Sequence, residues 1–438
     1  MLPGLVAIGL SFTARSQDIS YARSVIDTLS STSMHGRGYV NNGCAIAADY
    51  IAAQMKQLKL IPFSEGYKQD FTVNVKTYPS IVSVKVNNQS LQPAKDFTIV
   101  AGSPSIKGTY KYLKIDSTCF RSKHKHSRLL KKDLTQTFVA YDPKGMKGIY
   151  KKMADSLLMS NYINCRGFIH LSDNSNLSWS VYSGQEVLPY PILTLSKRSI
   201  KSNKGKMEVN IELEVKDDYP VSNVIGYIPG SMKADSFLVI TAHYDHLGML
   251  GDKFYPGAND NASGVAMMLD LAREYSGLHS DLADNALPHK TEDLSSRPAY
   301  SVVFMAFAGE EIGLKGSGYQ AENPFIPLEN IKFLINLDMV GTGSEGITMV
   351  NAEQFPEYHA TMESINTERN YVAKVAKRGE SCNSDHCPFY KKGVPAVFIY
   401  SMGKEHVEYH NLNDTSNRLP LTEYNDIFRL IRDYLSTF

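Results

Sequence analysis

The chain has 438 residues, a formal net charge of +1, 43% hydrophobic and 21% charged residues. That length allows about two to three domains, although one large α/β domain can occupy much of it. The near-neutral balance excludes a global basic surface for nucleic acid or for an anionic membrane.

Five cysteines (Cys44, Cys119, Cys165, Cys382, Cys387) are too few and too scattered for a disulfide framework, and an odd count leaves at least one free. No CxxC pair is present, which argues against a structural cysteine-zinc site. Cys382 and Cys387 are close enough to pair and equally compatible with two separate buried thiols. At the N-terminus an apolar run, Leu5 to Leu10, precedes Ala14-Arg15-Ser16. This resembles the end of an export signal lacking its basic start, so residues 1–16 are expected to be a signal remnant and the protein periplasmic or extracellular. No later segment has the length of a transmembrane helix.

In chain order, Ile19 to Leu29 and Cys44 to Leu60 have helical apolar spacing, with a loop at His35-Gly36-Arg37-Gly38 between them. From Tyr67 to Val100 the period becomes two, as in Ile81-Val82-Ser83-Val84-Lys85-Val86. Residues 106–215 differ in character. They contain a basic run from Arg121 to Arg128, expected as a solvated loop, a helix-like Lys147 to Ser160 and the apolar stretches Gly167 to His170 and Leu188 to Leu195. They are expected to form a smaller inserted domain, with 17–105 and 216–438 making up the main one.

From Ser222 onward strands and helices alternate, which predicts a mixed, mostly parallel sheet flanked by helices. The candidate strands are Phe237 to Ala242, Ser301 to Phe307, Lys332 to Leu337 and Ala396 to Tyr400. The candidate helices are Ala262 to Tyr275, Ile312 to Glu322, Phe355 to Asn366 and Tyr424 to Ser436. The polar stretch Ser280 to Arg297 reads as a surface excursion.

Acids and imidazoles fall just past the strands. His243 and Asp245 follow the first, Glu310 and Glu311 the second, Asp338 the third and His410 the fourth. Asp260 lies in a turn of short polar residues between Gly257 and Gly264. Ligands of a parallel sheet bind at its carboxyl ends, so these groups should converge. Singly each is ordinary: a satisfied histidine, a first-turn Glu pair, an N-capping Asp. Together, clustered carboxylates without cations are costly, and two divalent metals would remove that cost. Two His and three carboxylates without a thiolate suit zinc or a similar first-row metal.

These motifs resemble the co-catalytic di-zinc aminopeptidases, a family related to glutamate carboxypeptidase and to glutaminyl cyclases. The matching stretches are His243-Tyr244-Asp245-His246, Pro256 to Gly264, Glu310 to Ser317, Asn336 to Gly341, Ser384 to Phe389, Tyr409-His410 and Asp414-Thr415. The resemblance implies a zinc-exopeptidase fold, with 106–215 as a protease-associated-like domain. It implies two Zn²⁺ ions bridged by Asp260, one completed by His243 and Asp338, the other by Glu311 and His410. Glu310 would be the general base for a bridging water, and Asp245 would orient His243. Asp385 and His386 would line the pocket, and Tyr400 is a candidate oxyanion donor by its position at a strand end. The implied activity is removal of N-terminal residues from peptides with a free α-amine. The alternatives are a glutaminyl-peptide cyclase, a carboxypeptidase, or a binding ectodomain of the same fold without chemistry. No nucleic-acid partner and no membrane span are expected, and the oligomeric state is not readable.

Overall fold

The computed structural model describes residues 19–174, 176–181, 184, 186–277 and 298–438; the signal-like N-terminus and the polar stretch 280–297 lie outside them. A larger sheet of nine strands carries the C-terminal half. Its strands are β1 (Ile61–Pro62), β2 (Lys68–Thr77), β3 (Glu214–Ile228), β4 (Lys233–His243), β5 (Tyr300–Phe307), β6 (Ile331–Leu337), β7 (Gly346–Val350), β8 (Val375–Lys377) and β9 (Ala396–Met402). Their spatial order is β1-β3-β5-β4-β6-β9-β7-β8, with β2 also paired to β3. The four central strands, β5-β4-β6-β9, run parallel. Antiparallel pairs flank them at β3–β5 and β9–β7.

The central strands are apolar on both sides because both sheet faces are covered, as parallel strands require. Leu238, Ile240 and Ala242 enter one core, whereas Val239 belongs to the core on the opposite face. The helices are α1 (Ile19–Leu29), α2 (Gly43–Gln57), α3 (Gly264–Tyr275), α4 (Lys315–Glu322), α5 (Pro356–Arg369), α6 (His386–Lys391) and α7 (Tyr424–Leu435). Helices α1, α2, α3, α5 and α7 cover the first face, and α4 and α6 cover the second. In α7 the residues Tyr424, Ile427, Phe428, Ile431 and Tyr434 are buried at three- and four-residue spacing. In α3 every residue from Gly264 to Arg273 is buried, because α1 closes over the side that faces away from the sheet. Truncating Ile240 or Phe304, both fully buried, would cost about 2–5 kcal/mol.

A second, eight-stranded sheet is built wholly from the chain between β2 and β3. It starts at Val82, ahead of residue 106, because Val82–Val86 pairs antiparallel with Met207–Ile211 instead of joining the first sheet. Alternation alone made Val82–Val86 a strand but said nothing of its partner. The basic run is not a loop. Lys123–Leu130 is helical, started by Ser122, whose side chain accepts a hydrogen bond from Lys125 N, and anchored by buried Leu129. Cys382 and Cys387 form a disulfide, and Cys44, Cys119 and Cys165 are free thiols.

Candidate metal centre

The four parallel strands deliver the acids and imidazoles to one edge. His243 is the last residue of β4, Glu310 and Glu311 follow β5, and Asp338 follows β6. Between β4 and α3 the chain passes through an irregular turn, Ala258–Ser263, that contains a cis peptide between Asp260 and Asn261.

The crowd of short polar residues in that turn has a specific use. Asn261 Oδ1 accepts from the backbone N–H groups of Gly264 at 2.9 Å and Met339 at 3.1 Å, and its amide donates to the Leu337 carbonyl at 2.9 Å. Ser263 Oγ accepts from Val340 N at 3.0 Å, and Asn259 Oδ1 accepts from Gly341 N at 2.9 Å. Three side chains thus fasten the turn to the segment carrying Asp338. From the other side, Asp414 accepts from Asn259 N at 2.8 Å and Asp260 N at 3.1 Å. The bracketing glycines are required by close approach. A Cβ at Gly257, whose φ is +60°, would lie 2.2 Å from the Asp260 carbonyl, and one at Gly264 would lie 2.4 Å from the Leu337 carbonyl. Asp260 therefore caps no helix; its own carboxylate points elsewhere.

It points into a cluster, with its two oxygens facing different partners. Oδ1 is 3.4 Å from His243 Nε2, which is in turn 3.5 Å from Asp338 Oδ1. Oδ2 is 3.1 Å from His410 Nε2, which is in turn 3.1 Å from Glu311 Oε2. Two donors about 2.1 Å from one tetrahedral zinc lie about 3.4 Å apart, so these spacings fit two ions sharing one carboxylate. The donor set fits as well: imidazole and carboxylate only, with each ring presenting Nε2. His243 achieves this by donating its Nδ1–H to the Asp245 carbonyl at 3.1 Å, and His410 by donating to the Trp179 carbonyl at 3.1 Å. Asp338 is held through Oδ2 by Ser384 Oγ at 2.8 Å, itself bonded by Asn336.

The charges respond as a crowded anionic site should. Burial opposes charge on His410, but Glu311 and Asp260 outweigh it and push the imidazole up to about 11. Burial pushes Glu311 up, and His410 overcomes this to hold it at about 2. Glu310 is different. Burial raises it well above the usual carboxylate range, His243 opposes this, and Asp385, Glu311 and Asp338 raise it further.

Other expected residues fall around this cluster with altered roles. Asp245 orients His243 through its backbone carbonyl; its carboxylate lies 3.8 Å from the ring. That carboxylate instead accepts from Glu310 N at 3.1 Å, Glu311 N at 3.3 Å and Tyr39 Oη at 2.8 Å, fixing the Glu-Glu turn. Asp385 is fully buried, accepts from Ser317 Oγ at 2.5 Å and is pushed up to about 7 by burial. His386 turns its Nε2 to the Ser381 carbonyl at 2.8 Å, so it takes no place among the clustered donors. Tyr400 packs its ring 5.4 Å from Phe398 and makes none of the contacts that define the cluster.

Two residues at the centre were not assigned from the sequence. His246 is fully buried with Nδ1 2.6 Å from Glu311 Oε1, and it groups with Asp260, Glu311 and His410 as a set that could hold an ion. Its signal was present as the second imidazole of His243-Tyr244-Asp245-His246. Arg37 is the other, a wholly buried cation behind the turn. It donates to the carbonyls of Leu29, Tyr244, Pro256 and Gly257 at 2.7–2.8 Å. Its signal was a lone arginine between two glycines.

Residues 223–435 match the family described as Peptidase family M28. This span starts in β3, takes in every clustered donor and ends with α7. Residues 223–435 thus resemble peptidase family M28. The chain also resembles aminopeptidase YwaD of Bacillus subtilis, 26% identical over 243 residues, covering 51% of this chain and 46% of that protein. A probable zinc metalloprotease of Pyricularia oryzae is 34% identical over 154 residues, 32% of this chain and 27% of that one. The chain thus spans under half the length of each of these relatives. In fold, nearly the whole chain resembles BSAP, a zinc aminopeptidase from Bacillus subtilis, with TM-score 0.66 and 19% identity over 97% of this chain and 95% of that one.

Proposed function

We propose that this protein is a zinc-dependent aminopeptidase that hydrolyses the first peptide bond of substrates with a free N-terminus. The observation that carries the reading is the division of Asp260, one oxygen toward His243 and Asp338, the other toward His410 and Glu311. In this reading Asp260, His243 and Asp338 would hold one zinc ion, and Asp260, Glu311 and His410 would hold the other. Two bound ions would supply charge that polarises the scissile carbonyl and water acidic enough to attack at neutral pH. Glu310 takes the proton of the attacking water and delivers it to the leaving amine. Asp245 keeps Glu310 in place by accepting its backbone N–H. The preference for a free N-terminus follows the Bacillus subtilis relative, an aminopeptidase.

The second sheet, set between β2 and β3, supports a protease-associated domain that shapes access to the site. The Cys382–Cys387 disulfide supports an exported protein, because such bonds persist in oxidising compartments. No helix among the described residues is long and apolar enough to cross a membrane.

The test combines zinc analysis with hydrolysis of leucine p-nitroanilide and its N-acetyl form, before and after chelation. Two zinc ions per chain and chelator-sensitive cleavage of the free-amine substrate alone are expected. Equal cleavage of the acetylated substrate would remove the aminopeptidase assignment. Ammonia release from an N-terminal glutamine peptide with its bonds intact would replace it with the cyclase.

A further inference from the structure

The two histidines at the cluster are oriented from very different places. His243 takes its carbonyl from Asp245, two residues along its own strand end. His410 takes its carbonyl from Trp179, which lies 231 positions away in the chain that forms the second sheet. The contact is reciprocal, since Trp179 N donates to the His410 carbonyl at 3.0 Å. Neighbouring residues extend it: Ser178 Oγ donates to the Tyr409 carbonyl at 3.2 Å, and Asn176 Nδ2 to Glu408 Oε2 at 3.3 Å. The Asn176–Trp179 segment therefore runs alongside Glu408–His410 and is bonded to each of its three residues.

The Trp179 side chain locks this arrangement. It is 3% exposed, and its ring lies 5.1 Å from Tyr255 and 6.5 Å from Tyr78. Tyr255 immediately precedes Pro256-Gly257, the start of the turn that carries Asp260. Large rigid rings packed in this way position a backbone at low entropic cost.

We propose that the Asn176–Trp179 segment of the second sheet's chain is a structural part of one metal site, with Trp179 as the positioning residue for His410. The carbonyl of Trp179 fixes the His410 tautomer with hydrogen on Nδ1, leaving Nε2 to bind the ion shared by Asp260, Glu311 and His410. His243, by contrast, is oriented by Asp245 at its own strand end and takes no hydrogen bond from this segment. The second sheet thus does more than border the substrate path: it sets the affinity of one ion of the pair. This rests on the di-zinc reading above.

The experiment is zinc titration against a competing chromophoric chelator on the full chain and on Trp179→Ala and Trp179→Phe. The wild-type chain is expected to bind two ions. Trp179→Ala is expected to bind one as before and the second about 10–100-fold more weakly, the range for losing a group that orients a ligand. Trp179→Phe, which keeps an aromatic wedge, is expected to recover most of that loss. Cobalt substitution, read by visible absorption, should show one site perturbed and one unchanged. If Trp179→Ala does not fold, the Asn176→Ala/Ser178→Ala double variant loosens the same segment from outside and should weaken the same ion. Equal weakening of both ions, or of neither, overturns the proposal while leaving the di-zinc reading intact. A wild-type chain that binds no zinc overturns both.

Discussion

Arg37 reaches Asp260 through the backbone: its Nη2 donates to the Asp260 carbonyl at 3.2 Å and to the Gly257 carbonyl at 2.8 Å. The guanidinium touches no carboxylate in these bonds, yet its charge faces four. Burial lowers it to about 10, and Asp260, Asp414, Asp245 and Glu311 each work against that fall. One cation therefore gathers the carbonyls of the turn and offsets part of the anionic cluster beyond it. Arg37→Met would strand those carbonyls and leave the carboxylates less balanced. The expected loss is about 3–5 kcal/mol of unfolding free energy in urea titration. A loss below about 1 kcal/mol would show that the turn holds its shape without Arg37.

Glu310→Gln keeps the size of the side chain and removes its ability to accept a proton. Zinc content should stay at the wild-type level, because Glu310 stands apart from the clustered donors. Turnover should fall by on the order of 10²–10⁴. Paired metal analysis and steady-state kinetics check both halves; a variant with wild-type turnover removes Glu310 from the mechanism.

His246 holds Glu311 Oε1 while Glu311 Oε2 faces His410, so the carboxylate offers a single oxygen to the cluster. His246→Ala frees that carboxylate to rotate. In the proposed di-zinc site, the ion that His410 and Glu311 would share should then bind about 10–100-fold more weakly, read by chelator competition. Unchanged binding of that ion would mean that packing alone orients Glu311.

Glu405 gives a pH signature away from the cluster. Burial pushes its carboxyl up, but Ser344 Oγ at 2.5 Å and the N–H groups of Gly343 and Ser344 at 3.0 Å prevail and hold it at about 2. The folded value lies below the unfolded one of about 4.3, so the stabilisation is present above that value and is lost as pH falls towards 2. Glu405→Gln should destabilise the protein at pH 7 and converge with it at pH 2 to 3 in thermal unfolding. An equal difference at both pH values would refer the effect to packing.

Much of the scaffold was legible because the central strands are continuous apolar runs of the right length. Phe237 to Ala242 and Ala396 to Tyr400 read as strands from composition alone, and both extend by only a few residues in the structure. The acids were legible for the same reason: in a parallel sheet, the residue after each strand has a known destination. The short strands β7 and β8 carried no such pattern. Lys123–Leu130 was misread because its few apolar residues mask a capped, exposed helix.

Pairing and orientation needed the fold. No local pattern assigns Val82–Val86 to a second sheet, because its partner lies more than a hundred residues away at Met207–Ile211. Nor does sequence reveal that Asp245 serves His243 by its carbonyl and the Glu310-Glu311 turn by its carboxylate.

By itself the order of residues determined the kind of chemistry: His243, Asp260, Glu311, Asp338 and His410 are the donors that first-row cations prefer, set at the ends of strands. Only the tertiary structure decided which oxygen of Asp260 faces which histidine, and that His410 is hydrogen-bonded to Trp179, in a connection between strands of the second sheet. The reason is one of range. Strand and helix periods are properties of neighbours in sequence, whereas a metal site's orientation is set by hydrogen bonds between segments that only folding brings within 3 Å or so.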